Sequence, residues 1–158
     1  MSRKNVTIGL FGFGCVGLGL YEVLQKTPGL RARVKKIGIK HPEKPRPLAA
    51  EYFTTNPGEI LDDAEINVVV ELIDDADAAF EIVRTALQKG KAVVTANKKM
   101  LAEHFSELLE LQRIHNVPLL YEAACCASIP IIRNLEEYYD NDLLDSVEGI
   151  VNGSTNYI

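Results

Sequence analysis

A doubly wound α/β architecture, a mostly parallel sheet covered by helices on both faces in three layers, is predicted by three observations. Strand-like and helix-like stretches alternate along the 158 residues, as parallel strands joined by crossover helices require. The first apolar run, residues 6–11, passes without interruption into Gly12-x-Gly14-x-x-Gly17 and then into a helical pattern. Length and composition, 47% hydrophobic and 25% charged, are those of about one globular domain, short for a two-domain enzyme.

The elements follow in order. Strands are predicted at 6–11, 34–40, 67–72, 92–95 and 118–122, with a short one near 52–54, each an apolar or β-branched run bounded by turn residues. A first helix over 15–26 places Val16, Leu20, Val23 and Leu24 on one face and stops at Pro28-Gly29, which cannot continue it. A second, 77–89, buries Phe80, Val83 and Leu87 and ends in Lys89-Gly90, a cation and a glycine where a helix C-terminus favours both. A third, 99–115, turns Leu101, Phe105, Leu108 and Leu109 to the sheet and Glu103, Glu107 and Glu110 to water. The last begins at Pro130, a good first-turn residue, and runs to 139. Residues 41–58, with Pro42, Pro45, Pro47 and Pro57, read as a loop crossing the sheet edge. Asp140-Asn141-Asp142 is polar and turn-prone and precedes a strand-like run at 147–151. The domains expected are therefore 1–140 and the start of a second, 141–158.

The glycine fingerprint carries the functional reading. Gly12 permits a tight turn off the strand, Gly14 lets bare backbone approach a pyrophosphate, and Gly17 lets the helix pack closely on the sheet with its N–H groups facing the anion. A Rossmann-type dinucleotide site is expected, with Gly12, Phe13, Gly14, Cys15, Val16 and Gly17 against the cofactor. A chain that selects NAD usually carries an acid about 20 residues on, at the end of the second strand. Here Lys40-His41 stands there, and residues 31–46 hold Arg31, Arg33, Lys35, Lys36, Lys40, Lys44 and Arg46 against the single acid Glu43. That field suits a 2′-phosphate, so NADP is expected over NAD, with Lys40 as the leading contact and His41 behind it. The alternative is a solvated, basic sheet edge, since strand residues alternate and only some of these cations can face the ligand.

Composition excludes other classes. A net charge of −5 argues against a nucleic-acid surface for the whole domain. No apolar run reaches the roughly 20 residues of a membrane span, and because the N-terminus enters the first strand almost at once no secretory leader is expected. Cys15, Cys125 and Cys126 cannot make a disulfide framework and lack metal-ligand spacing, which points to a reducing cytoplasm. His104 and His115 lie on one helix and read as a solvated face, with neither a Ser-His-Asp arrangement nor a metal-binding pair.

Three further segments, in order behind the fingerprint, carry a resemblance. Thr95-Ala96-Asn97-Lys98, then Tyr121-Glu122-Ala123-Ala124 with Ile129-Pro130-Ile131, and Gly149-Ile-Val-Asn-Gly-Ser-Thr-Asn-Tyr-Ile158 resemble the N-terminal nucleotide-binding part of homoserine dehydrogenases. The resemblance covers essentially the entire chain. It implies an oxidoreductase interconverting aspartate semialdehyde and homoserine with a nicotinamide cofactor, in threonine and methionine biosynthesis, and a homodimer for the full-length enzyme. Open parallel sheets bind ligands beyond the strands' carboxyl ends, where Asp74, Lys98 and Glu122 all fall. Lys98, the catalytic residue expected, would hold the cofactor ribose or lie near the developing alkoxide. By resemblance alone, a monovalent cation such as sodium would be held by Glu122 and the backbone carbonyls of Cys125, Ala127 and Ile129.

This chain departs from the family in places. Cys125-Cys126-Ala127-Ser128 replaces a usually glycine-rich loop, and Glu71-Leu72-Ile73-Asp74-Asp75 stands where the family tends to have Glu-Leu-Ile-Gly-Gly. The two carboxylates would weaken cofactor binding or cap the following helix. The family's substrate and dimerisation domain, with its proton donor, follows the point corresponding to Ile158, so these residues are expected to bind cofactor without turning over alone. A non-catalytic dinucleotide-binding or sensing module is the alternative. A dehydrogenase fused to aspartate kinase is disfavoured by Met1 directly before the first strand.

Overall fold

A computed structural model describes residues 5–126 and 129–149. In it β1 (Val6–Phe11) leads into α1 (Cys15–Lys26), β2 (Ala32–Gly38), β3 (Phe53–Thr54) and the single-turn α2 (Gly58–Leu61). Then come β4 (Val68–Glu71), α3 (Ala76–Gln88), β5 (Ala92–Thr95), α4 (Lys98–His115), β6 (Leu119–Leu120) and α5 (Ile131–Tyr138). The six strands form one parallel sheet in the order β3-β2-β1-β4-β5-β6. The strand order reverses between β1 and β4, which opens the crevice where such sheets take their ligands. The predicted α/β fold and its parallel sheet are observed.

Strand alternation divides the core into two layers. Ile8, Leu10, Val34, Ile37 and Val70 pack with Leu24 of α1 on one face. Phe11, Val69 and Val93 pack with Ile60, Ala79, Val83, Leu87, Met100 and Leu108 on the other. Full burial of each large aliphatic side chain contributes about 1.5–3 kcal/mol, so these layers carry most of the stability. At the amino end of the sheet, buried Lys91 donates to the carbonyls of Asp63 (2.6 Å) and Ile66 (2.7 Å), tying the α3–β5 turn to the segment before β4. Burial pushes its ammonium below the ordinary lysine pKa.

Several local expectations are corrected. The sheet-facing stripe of α1 runs through Gly17, Leu20, Tyr21 and Leu24, leaving Val16 65% and Val23 56% exposed. Gly17 sets this rotation, because it is the residue that meets the turn behind the helix. In α4, Leu101 and Leu108 are buried as expected, while Phe105 and Leu109 flank the stripe. Phe105 packs edge-on against Tyr121, with centroids 5.3 Å apart. Phe80 of α3 is only partly buried, whereas Val83 and Leu87 are fully buried as expected. The stretch 41–58 holds more than a loop: a 3-10 turn at Ala50–Tyr52 feeds β3, and Pro57 stands at the start of α2. Pro130 is the N-cap of α5 and not its first residue. The described part of the predicted strand at 147–151, residues 147–149, has no strand pairing, and its remainder lies outside the described residues. Among the described residues no helix is long and apolar enough to cross a membrane.

Candidate functional site

The glycine turn behaves as its chemistry requires. Gly12 has φ +93°, a left-handed conformation that favours glycine, and a Cβ there would come 2.7 Å from the carbonyl oxygen of Leu72. A Cβ on Gly17 would come 2.3 Å from the Gly12 carbonyl oxygen, so only glycine lets α1 seat against its own turn. Gly14 differs from both. A Cβ there would meet nothing within 4 Å, so protein packing does not explain its glycine and the space in front of it is open to a ligand. Gly14 is also the N-cap of α1, with no side chain capping the helix and no acid in its first turn. The leading N–H groups and the helix dipole thus face that space uncompensated.

A crevice of about 500 Å3 opens beside this turn, over the carboxyl ends of β1, β2 and β4. It is lined by Gly12, Phe13 and Gly14 of the turn, by Lys40, His41, Lys44 and Arg46 of the chain beyond β2, and by Asp74 after β4. A neighbouring apolar cavity of about 270 Å3, between Ile39, Thr55, Ile73 and Ile82, continues it toward α3. Phe13 packs edge-on against Phe53 (5.4 Å between centroids) and Tyr21 (6.2 Å), which fixes the turn against β3 and α1. Of the predicted contacts, Gly12, Phe13, Gly14, Lys40 and Asp74 meet in the crevice. Gly17 is buried beneath the turn, and Cys15 and Val16 stand exposed on the first turn of α1.

Six of the seven cations of residues 31–46 separate by position into two groups of three, while the seventh, Arg31, is exposed, lies outside the crevice lining and has no ion pair among the described residues. Arg33 pairs with Glu65 at 3.3 Å, Lys35 with Asp63 at 2.6 Å and Glu65 at 3.0 Å, and Lys36 with Glu59 at 3.3 Å, all away from the crevice. Lys40, Lys44 and Arg46 line it, and none has an ion pair among the described residues. Arg46 donates to the carbonyls of His41 and Lys44, both at 2.8 Å, and lies over the Phe53 ring at 5.3 Å. Sequence reasoning singled out Lys40 and did not single out Arg46. Its proline neighbours Pro45 and Pro47, which hold it on an irregular loop, hide its direction from any strand or helix pattern.

Glu71, at the end of β4, is fully buried and organises the floor of the site. One oxygen accepts from the Ile73 N–H at 2.7 Å, the other from the Thr95 hydroxyl at 2.5 Å. Thr95 in turn accepts from the Asn97 N–H (3.1 Å), and the Asn97 amide donates to the Ile73 carbonyl (3.1 Å) and caps α4 through Met100 N–H. Burial raises the carboxyl pKa of Glu71, and the two bonds to its oxygens oppose that rise. The loops bearing Asp74 and Lys98 are thereby braced on one network. Asp75 caps α3 through the Ala78 N–H at 3.0 Å, while Asp74 is exposed at the crevice.

Lys98 is the exposed first residue of α4 and does not line the crevice. Glu122, in a 3-10 turn after β6, accepts from the N–H groups of Ile132 and Arg133, both at 3.0 Å, and so closes the start of α5. Burial pushes the Cys125 thiol up, and Glu122 adds to the rise while the Lys98 charge opposes it, so these three groups share one neighbourhood. Cys126 has φ +47°, the conformation that a glycine would adopt without strain and other residues adopt at about 1–2 kcal/mol. Ala127 lies outside the described residues, and Ile129 is exposed.

Residues 12–122 match the family model of the homoserine dehydrogenase NAD-binding domain. The chain belongs to the homoserine dehydrogenase family. It is 39% identical over 161 residues to the homoserine dehydrogenase of Synechocystis, covering 98% of this chain and 37% of that one. Against the Bacillus subtilis enzyme it is 35% identical over 164 residues, covering 98% and 38%. A homoserine dehydrogenase structure from Thiobacillus denitrificans superposes with a TM-score of 0.83 at 35% identity, over 98% of this chain and 38% of that one. A hyperthermophilic archaeal homoserine dehydrogenase in complex with NADPH gives a TM-score of 0.71 at 26% identity, over 84% and 48%. The chain spans a little over a third of the curated relatives it matches. A nicotinamide dinucleotide is thus the ligand class of this domain in its family.

Proposed function

We propose that this chain is the NADP-binding part of a cytoplasmic homoserine dehydrogenase, interconverting aspartate semialdehyde and homoserine, with residues 141–158 beginning the substrate and dimerisation domain. The observation that carries the cofactor reading is the crevice itself, lined both by Gly14, with open space before it, and by three cations that have no ion pair among the described residues. The N–H groups at the start of α1 would bind the pyrophosphate. Lys40 and Arg46 would grip the 2′-phosphate, Arg46 in a direction already set by two backbone carbonyls. When bound, the nicotinamide supplies a hydride to the substrate aldehyde carbon. Lys98, the first residue of α4 after β5, would hold the cofactor ribose or stabilise the negative charge growing on the substrate oxygen. Asp74 would face the cofactor from the β4 side and keep its charge hydrated at the crevice edge.

The Glu122 turn also suits a monovalent cation. Each Glu122 oxygen keeps a lone pair beyond its bond to α5, and oxygen donors match a hard ion. The carbonyls of Cys125, Ala127 and Ile129 would complete it. Its contribution would be electrostatic, holding the turn beside Lys98.

Fluorescence titration of the purified chain with NADPH and NADH tests the reading. Tighter NADPH binding is expected, together with a hydride-transfer rate far below that of a complete dehydrogenase. Equal affinities would remove the 2′-phosphate assignment, and binding of neither would remove the site.

A further inference from the structure

Away from the crevice, three metal-ligating side chains of α3 and α4 converge. Asp77 stands in the first turn of α3, Glu103 and His104 in the second turn of α4, and one ligand atom of each lies within 4.8 Å of the other two. The pairing of the helices brings them together, since Ala79 and Val83 of α3 and Met100, Leu101 and Leu108 of α4 are buried in one layer. The His104 ring stacks on Phe80, with centroids 3.9 Å apart and planes at 16°, so the imidazole is already oriented. Its ordering cost is met by packing before any ligand arrives.

Asp77, as the acid in the first turn of α3, and His104, as the ring stacked on Phe80, each have a modest structural role, but neither role draws the three ligand atoms together. Asp75, not Asp77, caps α3. The ion pair of Glu103 with Lys99, at 3.8 Å and mostly exposed, is of a kind that contributes little. Among the described residues, neither carboxylate forms an ion pair with His104, which would otherwise have been the simplest reason for the cluster. Two carboxylates are held near one another beside an imidazole nitrogen, and a cation is what relieves that arrangement.

We propose that Asp77, Glu103 and His104 form a site for one divalent transition-metal ion of the zinc class, with water completing its shell. One imidazole nitrogen with two carboxylate oxygens selects such ions over calcium or magnesium, which take oxygen alone. Small rotations of the exposed carboxylates bring the oxygens to the roughly 2.0–2.2 Å that zinc requires. The ion would clamp the first turns of the two helices that follow the Asp74 and Lys98 loops. It binds only where those helices are docked and therefore raises Tm. The site does not depend on the cofactor reading above.

Cobalt(II) titration of the full chain, followed by absorption and by thermal melting, provides the test. The free thiols of Cys15, Cys125 and Cys126 are the competing ligands, and they announce themselves by a thiolate-to-metal charge-transfer band. The expected result is one equivalent bound without that band and with a raised Tm. Asp77→Asn and His104→Gln should each weaken it at least about tenfold, since even partners behind a metal ligand commonly cost that much. In metal-free buffer Asp77→Asn should melt near the wild-type temperature and His104→Gln somewhat below it, through the lost stacking on Phe80, and both should keep wild-type NADPH affinity. Absence of cobalt binding, a thiolate band at the first equivalent, or unchanged binding in both variants would overturn the assignment.

Discussion

Two groups of cations from one short stretch of chain have opposite surroundings. Arg33, Lys35 and Lys36 lie along β2 and are neutralised by Glu59, Asp63 and Glu65 on the neighbouring segment. Lys40, Lys44 and Arg46 lie beyond the end of β2, line the same crevice as the glycine turn and have no acid within ion-pair distance among the described residues. The number of charges is the same in each. What differs is that a strand has a covered edge and faces, where acids on adjoining elements can reach, whereas the chain past the strand's carboxyl end overhangs the crevice. Uncompensated charge at a ligand-facing rim raises local anion concentration, while compensated charge on an edge only protects the sheet and adds modest stability. A local excess of lysine and arginine thus becomes a functional statement only after the paired ones are set aside.

The sharpest way to break this distinction is to remove the rim. The double variant Lys40→Ala with Arg46→Ala should weaken NADPH binding on the order of a hundredfold, two charge-assisted bonds being lost at about tenfold each, with NADH affinity held within about threefold. A variant that binds NADPH as tightly as before would show that the rim does not read the 2′-phosphate. Lys40→Asp alone should cost tenfold or more, since it adds repulsion to the lost contact. Raising salt from 0.05 to 0.5 M, which shortens the screening length about threefold, should weaken NADPH several-fold more than NADH, and a parallel decline for both would argue against an exposed phosphate contact.

The smallest effect is expected on the paired side. Lys35→Met should leave NADPH affinity within about twofold of wild type, because its partners already cancel its charge. A loss equal to that of Lys40 would merge the two groups. The pH dependence of stability should change instead. The hydrogen bond from Lys35, with that from the Glu65 N–H, holds the Asp63 carboxyl below its usual pKa. A depressed carboxylate contributes stability that is present above the unfolded pKa, near 4, and is lost as pH falls through the lower folded value. Acid titration monitored by circular dichroism should therefore show a shallower loss below about pH 4 in Lys35→Met. Glu71 acts in the other direction, since its raised pKa means that stability declines as pH climbs from the unfolded value through the folded one.

Much of this was legible in the chain. Residues 6–17 specify a strand, a left-handed turn and a helix in sequence, because an apolar alternation, Gly12 and the 3.6-residue spacing are each local requirements. The bounds of β1, β5 and α1 follow from such local signals, and so does Asp75 as a cap, since a short acid before a helical run meets N–H groups with nowhere else to bond. The exposure of Val16 and Val23 was not legible. Which flank of a helical stripe is covered depends on how the helix rolls on the sheet, and Gly17 against Gly12 decides that roll only in three dimensions. The burial of Glu71 was hidden for a related reason, because its partners Thr95 and Asn97 belong to the next strand and loop.

The sequence by itself determined the parallel sheet, the phosphate-accepting turn and the excess of positive charge after the second strand, all of them consequences of neighbours along the chain. Tertiary structure alone decided which of those charges find acidic partners, how Arg46 is aimed, and that Asp77 meets Glu103 and His104 across two helices. Ion pairing, buried hydrogen bonds and ligand clusters depend on distances between segments far apart in the chain, and those distances exist only once the helices have packed on the sheet.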